Sequence, residues 1–169
     1  ILNDLTDTFI RTNAANKIVN ASESIHTLLG YTPDEVINMS ITDLYLHSPD
    51  HNTFLNQLQK NGGQIRGSIA QWRHKNGNAV LVETNARLIY DDRNNFIGVE
   101  GAARDITNRR SSEELNLRLG RIVEDSDNEI YVFDSVTLQF LLVNRGAREN
   151  LGYSLKEVLE ITPVDIKPN

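Results

Sequence analysis

Ile97-Gly-Val-Glu-Gly-Ala-Ala-Arg-Asp-Ile-Thr-Asn-Arg-Arg110 changes hydrophobic period in its middle, and that change decides how the chain is organised. From Ile97 to Ala103 small and β-branched residues alternate, the period of a strand. From Arg109 to Asp125 the apolar residues Leu115, Leu119 and Ile122 recur at four-then-three spacing, the seam of an amphipathic or coiled-coil helix. A sheet is therefore joined to a long helix through Asp105-Ile106-Thr107. Asp105 is positioned to bond backbone donors or a basic partner at that junction, and Thr107 to cap the helix. A helix with so few apolar residues is marginal alone, so Leu115, Leu119 and Ile122 are expected to face a second copy in a parallel dimer, or else the chain's own domain.

Upstream, three strand-like runs, Gln64 to His74, Ala79 to Tyr90 and Asn95 to Arg104, are separated by turns at Asn76-Gly77 and Asp91 to Asn94. This is an antiparallel meander. On its middle run Val80, Val82, Thr84, Ala86, Leu88 and Tyr90 share one face while Glu83, Asn85 and Arg87 point the other way, so one face is buried. Before it, Ser48-Pro-Asp-His51 predicts a helix with Ser48 as cap and Pro49 at its first position. His51, Phe54, Leu55 and Leu58 fall on one face of that helix, and Asn61-Gly-Gly63 ends it. Ile41 to Leu46 reads as another helical turn. Thr32-Pro-Asp-Glu35 has the threonine and glutamate of a capping box, and the short helix before it, with Ile25, Leu28 and Leu29 inward, takes Ser22 as N-cap and Gly30 as left-handed C-cap. Thr8 to Thr12 and Lys17 to Asn20 read as two short strands around a polar turn.

Composition narrows the function classes. The chain of 169 residues carries 23 acidic against 17 basic side chains, which leaves no basic face for nucleic acid or an anionic membrane. It contains no Cys, so disulfides, thiolate nucleophiles, iron–sulfur clusters and cysteine zinc sites are excluded. No apolar run approaches the roughly 20 residues that span a bilayer, and no signal peptide opens the chain, so a cytoplasmic location is expected for this stretch even if a parent protein is membrane-anchored. A start on Ile1 rather than Met suggests a piece of a longer protein.

Asp105-Ile-Thr followed by Asn-Arg-Arg110, together with Leu28-Leu-Gly-Tyr-Thr-Pro-Asp-Glu-Val36, closely resembles the PAS domain family. The resemblance covers roughly Thr6 to Arg110. It implies an α+β fold, a five-stranded antiparallel sheet with helices on one face, followed by a long signalling helix. A shift of 122 residues places Leu151, Gly152, Tyr153, Glu157, Val158 and Asp165 on Leu29, Gly30, Tyr31, Glu35, Val36 and Asp43 without a gap, and aligns Asn144 with Ser22 and Ser154 with Thr32. The expected organisation is therefore a PAS domain over 1–107, a linker helix over 108–125 and the truncated start of a second PAS domain over 126–169. Half a sheet should not be stable alone, so that segment is expected to pack on the first domain or on another chain.

Such domains are sensors or dimerisation modules, and the resemblance implies a ligand or cofactor between sheet and helices. His51, Leu55, Thr84, Ala86, Gly101 and Ala103 are the candidate cavity residues, the last four being small. Flavin chemistry through a cysteine adduct is excluded. His51 stands where haem-binding PAS proteins place their axial ligand, but the position aligned with their oxygen-holding arginine is Ser68; Trp72 could stack on a flavin without an adduct. Against these stand plain packing roles for both residues. His47 and His51 do not form a zinc pair, because Ser48-Pro49 starts the helix between them. No catalytic constellation is present, and Gly98 and Gly101 lie inside a strand rather than in a phosphate loop. A signalling fragment is therefore expected, its output domain a histidine kinase or a cyclic-di-GMP enzyme elsewhere in the parent. The competing reading is a ligand-free dimerisation scaffold.

Overall fold

A computed structural model of the chain describes residues 7–166, and the expected domain limits within residues 1–6 and 167–169 lie outside them. The chain divides into two compact units, Ile1–Arg109 and Arg110–Asn169.

The first unit begins with the hairpin β1 (Thr8–Asn13) and β2 (Ile18–Ala21). Four helices follow, α1 (Ile25–Leu29), α2 (Pro33–Val36), α3 (Ile41–Leu44) and α4 (Ser48–Lys60), and then the meander β3 (Gln64–Arg73), β4 (Ala79–Tyr90) and β5 (Phe96–Asp105). The strands form one five-stranded antiparallel sheet in the order β2-β1-β5-β4-β3. The last strand is thus central, lying between the first strand and β4. Gly98 lets β5 come that close to β1: a Cβ there would stand 1.9 Å from the Thr12 carbonyl oxygen. The three-strand meander and the single buried face are as the sequence predicts, and α+β with five antiparallel strands is the observed class.

Helix ends follow local chemistry. Gly30 closes α1 in the left-handed region at φ 76°, and Thr32 and Glu35 form the reciprocal capping box of α2. Two predicted caps differ. Ser22 does not cap α1; its Oγ accepts the Phe9 N–H at 2.9 Å while its own N–H donates to the Phe9 carbonyl, so it extends the β1–β2 ladder, and Ser24 takes the cap position with its hydroxyl bonded to Ser22 and the Asp7 carbonyl rather than to the helix. Helix α4 starts one residue early, with His47 at the cap and Ser48 already helical.

Ile18, Ile25, Leu29, Val36, Leu44 and Val82 are fully buried between helices and sheet. A second cluster joins Phe54, Leu58 and Ile65. On the opposite, solvent side of the sheet, Arg11, Glu100 and Arg87 stand in register on three neighbouring strands. Both guanidinium groups bond the Glu100 carboxylate, Arg87 Nε at 2.8 Å and Arg11 Nε at 3.0 Å, although Glu100 itself is only 7% exposed.

The second unit contains most of helix α5 (Thr107–Glu124), followed by the two-stranded sheet β6 (Tyr131–Phe133) and β7 (Phe140–Val143), and helices α6 (Arg145–Leu151) and α7 (Leu155–Leu159). Phe140, Val143, Ala147 and Val158 form its core. Asn144 is wholly buried at the N-cap of α6: its Oδ1 accepts from Ile130 and Ala147, and its Nδ2 donates to the carbonyls of Val123, Ser126 and Asn128. Arg148 ties α6 to the end of α5 through both carboxylate oxygens of Glu124, at 2.5 and 3.2 Å. Gly152 closes α6 in the left-handed region at φ 74°, and Ser154 and Glu157 form a capping box on α7.

Candidate functional site

Between the sheet and helices α3 and α4 lies a cavity of about 40 Å³. Its floor is the sheet, where Ile10 and Thr12 of β1, Thr84 and Ala86 of β4, and Val99, Gly101 and Ala103 of β5 point inward by strand alternation. Its roof is Ile41, Tyr45, His51 and Phe54, and Trp72 of β3 closes one side. Among the described residues, no Asp, Glu, Lys or Arg side chain lines it.

Of the residues predicted to line a cavity, His51, Thr84, Ala86, Gly101 and Ala103 converge here, and Trp72 joins them. Leu55 does not. It is partly buried against the Phe54, Leu58 and Ile65 cluster, because one helical residue past Phe54 turns its side chain about 100° away from the cavity. Gly101 is small for a reason other than ligand room: a Cβ there would lie 2.6 Å from the Asn85 carbonyl oxygen on β4. Tyr45 was not predicted. It belongs to the site because its backbone forms an isolated antiparallel bridge with Trp72, which brings the Tyr45 ring to 5.4 Å from Trp72 and 5.2 Å from His51. A tyrosine just past a short helix carries no local signal for such a bridge.

Burial governs the electrostatics. It holds the His51 imidazole below its ordinary pKa, so at pH 7 the ring is neutral, with one donor and one acceptor nitrogen. Burial pushes the Tyr45 phenol up, an effect that the Trp72 side chain opposes and Asp50 reinforces. The Trp72 indole N–H lies close enough to Tyr45 to act on it, yet has no acceptor in hydrogen-bond geometry. His47 is exposed at the α4 cap while His51 is buried, so the two do not share a metal, and among the described residues no group of three or more His, Cys, Asp or Glu is placed to hold one.

Haem and non-adduct flavin do not fit this site. Ligand sites for drug-sized molecules occupy roughly 300–1,000 Å³, far above the cavity volume of about 40 Å³. Tyr45 and Phe54 flank the His51 ring at 5.2 and 6.3 Å.

The junction that leaves the sheet is tightly held. Ile106 is 2% exposed, and its N–H donates to the Leu81 carbonyl at 2.9 Å. The Asp105 carboxylate accepts the Thr107 N–H at 2.8 Å, as its position in the sequence predicts. Thr107 is not used as predicted: its hydroxyl accepts the N–H of Leu81 on β4 at 2.9 Å, binding the first residue of α5 to the sheet. Beyond this point α5 buries no side chain, and Leu115, Leu119 and Ile122 are each about half exposed.

A family model described as a PAS domain matches residues 6–108. The chain belongs to the PAS domain family. Sporulation kinase C of Bacillus subtilis (strain 168) is 27% identical over 128 residues, 72% of this chain and 29% of that protein, so the chain spans under a third of this relative's length. The PAS domain of a protein from Colwellia psychrerythraea is similar with a TM-score of 0.55 at 23% identity, over 60% of this chain and 87% of that one. An RNA-binding light-oxygen-voltage receptor is similar with a TM-score of 0.57 at 17% identity, over 70% of this chain and 35% of its own. Both structures show the same fold. As a PAS domain, the first unit is a sensory domain of the kind used in signal transduction. Among the described residues no helix is long and apolar enough to cross a membrane.

Proposed function

We propose that this PAS domain senses a small molecule in the cavity beneath α4 and relays its presence through Asp105-Ile106-Thr107 into α5, which pairs with α5 of a second copy along Leu115, Leu119 and Ile122. One observation carries the reading: β5 supplies Gly101 and Ala103 to the cavity and runs into α5 through the buried Ile106. A change in cavity filling that displaces β5 therefore acts on the start of the helix. The similarity to a sporulation kinase favours a histidine kinase over a cyclic-di-GMP enzyme as output in a longer, cytoplasmic parent.

Residues 126–169 are proposed to begin a second PAS domain. Three correspondences support this. β7 lies 122 residues after β2, the capping boxes at Thr32 and Ser154 and the left-handed Gly30 and Gly152 share that offset, and Asn144 receives the Ile130 N–H as Ser22 receives that of Phe9. Both hairpins carry a ladder irregularity before the pairs Thr12↔Ile18 and Phe133↔Phe140, so the later turn is one residue longer.

A second reading, a scaffold that relays dimer contacts without a ligand, is favoured by the small cavity volume. Because the chain contains no Cys, Leu119→Cys provides a single reporter of helix pairing. Disulfide formation between two Leu119→Cys copies is expected, and Ala103→Val, which fills the cavity, is expected to change its rate several-fold while Ala102→Val on the other face of β5 does not. Absence of any cross-link refutes the helix pairing; identical rates in all three proteins refute the relay.

A further inference from the structure

One residue of the cavity wall, Trp72, has an unmet donor. Trp72 is 3% exposed, and its Nε1 is, among the described residues, the one fully buried side-chain nitrogen or oxygen without a hydrogen-bond partner. Such a group carries a desolvation penalty that an acceptor in the cavity would remove. With no charged side chain on the wall, a carboxylate or ammonium ligand would be buried without a counter-charge, so its entry is disfavoured. A volume of about 40 Å³, set against the roughly 10–15 Å³ that one water needs, admits a molecule of only a few heavy atoms.

Water alone suits the cavity poorly. A buried water needs about two to four polar partners, which Trp72, His51, Tyr45 and Thr84 can offer, but it leaves unmatched the apolar wall of Ile10, Ile41, Phe54, Val99 and Ala103. An amphipathic molecule satisfies both demands, with its oxygen at the indole and its carbons against the sheet.

We infer that the signal taken by this cavity is a small uncharged organic molecule with a hydrogen-bond-accepting oxygen, a short-chain carbonyl compound or alcohol, held by the Trp72 N–H on the Ala103 side of the cavity. The inference rests on the sensory reading above and names the chemical class of its signal. Neutral His51, on the same wall, offers a second polar contact without adding charge.

Trp72 is the only tryptophan, so the full-length chain labelled with nitrogen-15 gives a single indole N–H resonance. Titration with acetone is expected to shift that resonance saturably, together with the Ala103 methyl signal, while sodium acetate at equal concentration leaves both in place. Trp72→Phe keeps a ring and deletes the donor; followed through the Ala103 methyl, it should bind acetone roughly three- to ten-fold more weakly. Four results overturn the inference: an equal response to acetate, a shift that never saturates, an indole proton bonded to Tyr45 and indifferent to acetone, or a bound water on the indole that acetone does not displace. Saturable shifts at Trp72 and Ala103 with the α5 amides unmoved would support the ligand class and refute the relay. No response to acetone, with Ala103→Val still altering Leu119→Cys cross-linking, would refute the ligand class and leave the relay standing.

Discussion

Thr107, the first residue of α5, accepts the backbone N–H of Leu81 on β4 at 2.9 Å. The exiting helix is therefore fastened to a strand other than the one it continues. Thr107→Val keeps the shape and removes the acceptor, which leaves a part-buried N–H unpaired at a cost of about 1–2 kcal/mol. Urea unfolding should register that loss, and hydrogen exchange at the Leu81 amide should accelerate. Thr107→Ser retains the hydroxyl and should restore both.

Glu100 contributes to stability in acid. Hydrogen bonds from Arg87, then Arg11, hold its carboxyl below the ordinary value of 4.5. A carboxylate whose pKa is depressed on folding contributes stability that is present above its unfolded pKa and is lost as pH falls through the folded one. The melting temperature should therefore drop steeply below about pH 4.5. Glu100→Gln, which leaves two arginines facing a neutral amide, should melt lower at pH 7 and show a shallower acid limb. Superimposable profiles would mean that the arginine pair contributes nothing.

His51 acts in a different window. Its pKa is depressed by burial from an ordinary 6.5, so the unfolded chain binds a proton before the folded one does. Stability from this residue is complete above pH 6.5 and declines as pH falls toward the folded value. His51→Phe, placed beside Phe54 and Tyr45, should flatten the fall of the denaturation midpoint as pH drops below 6.5 without touching the acid limb to which Glu100 contributes.

Asn144 holds the second unit together. Three carbonyls and two N–H groups each lose a hydrogen bond in Asn144→Ala, although the Val123 carbonyl keeps the Ser126 N–H, a penalty of about 3 kcal/mol. Amide exchange over residues 130–147 should rise sharply, while amides of β4 and β5 keep their protection. Uniform loss across both units would show that their stabilities are not separable.

Much of this fold was legible because its signals are local. Thr32 and Glu35, or Ser154 and Glu157, announce a helix start within four residues, and strand alternation alone turned Thr84, Ala86, Gly101 and Ala103 toward one cavity. What was missed depends on distant partners. Arg11 reaches Glu100 across 89 positions, which requires knowing that β5 lies beside β1. Ser22 has the chemistry of a cap, but Phe9 competes for its hydroxyl once the hairpin closes. Thr107 likewise serves a strand 26 residues upstream. Leu55 shows the limit of helical spacing, since a residue next to an inward one can satisfy an apolar pattern by facing a neighbouring cluster.

Helix α5 buries no side chain along its 18 residues, although Thr107 bonds at its beginning and Glu124 at its end. No tertiary packing therefore dictates its length. Removing seven residues from its middle would return the two ends to within about 20° of the same rotational phase, whereas removing two would turn one end by about 200° relative to the other. Chains that share this architecture can thus differ in reach by whole heptads and keep the same contact seam, but an odd pair of residues would point Leu119 and Ile122 away from it.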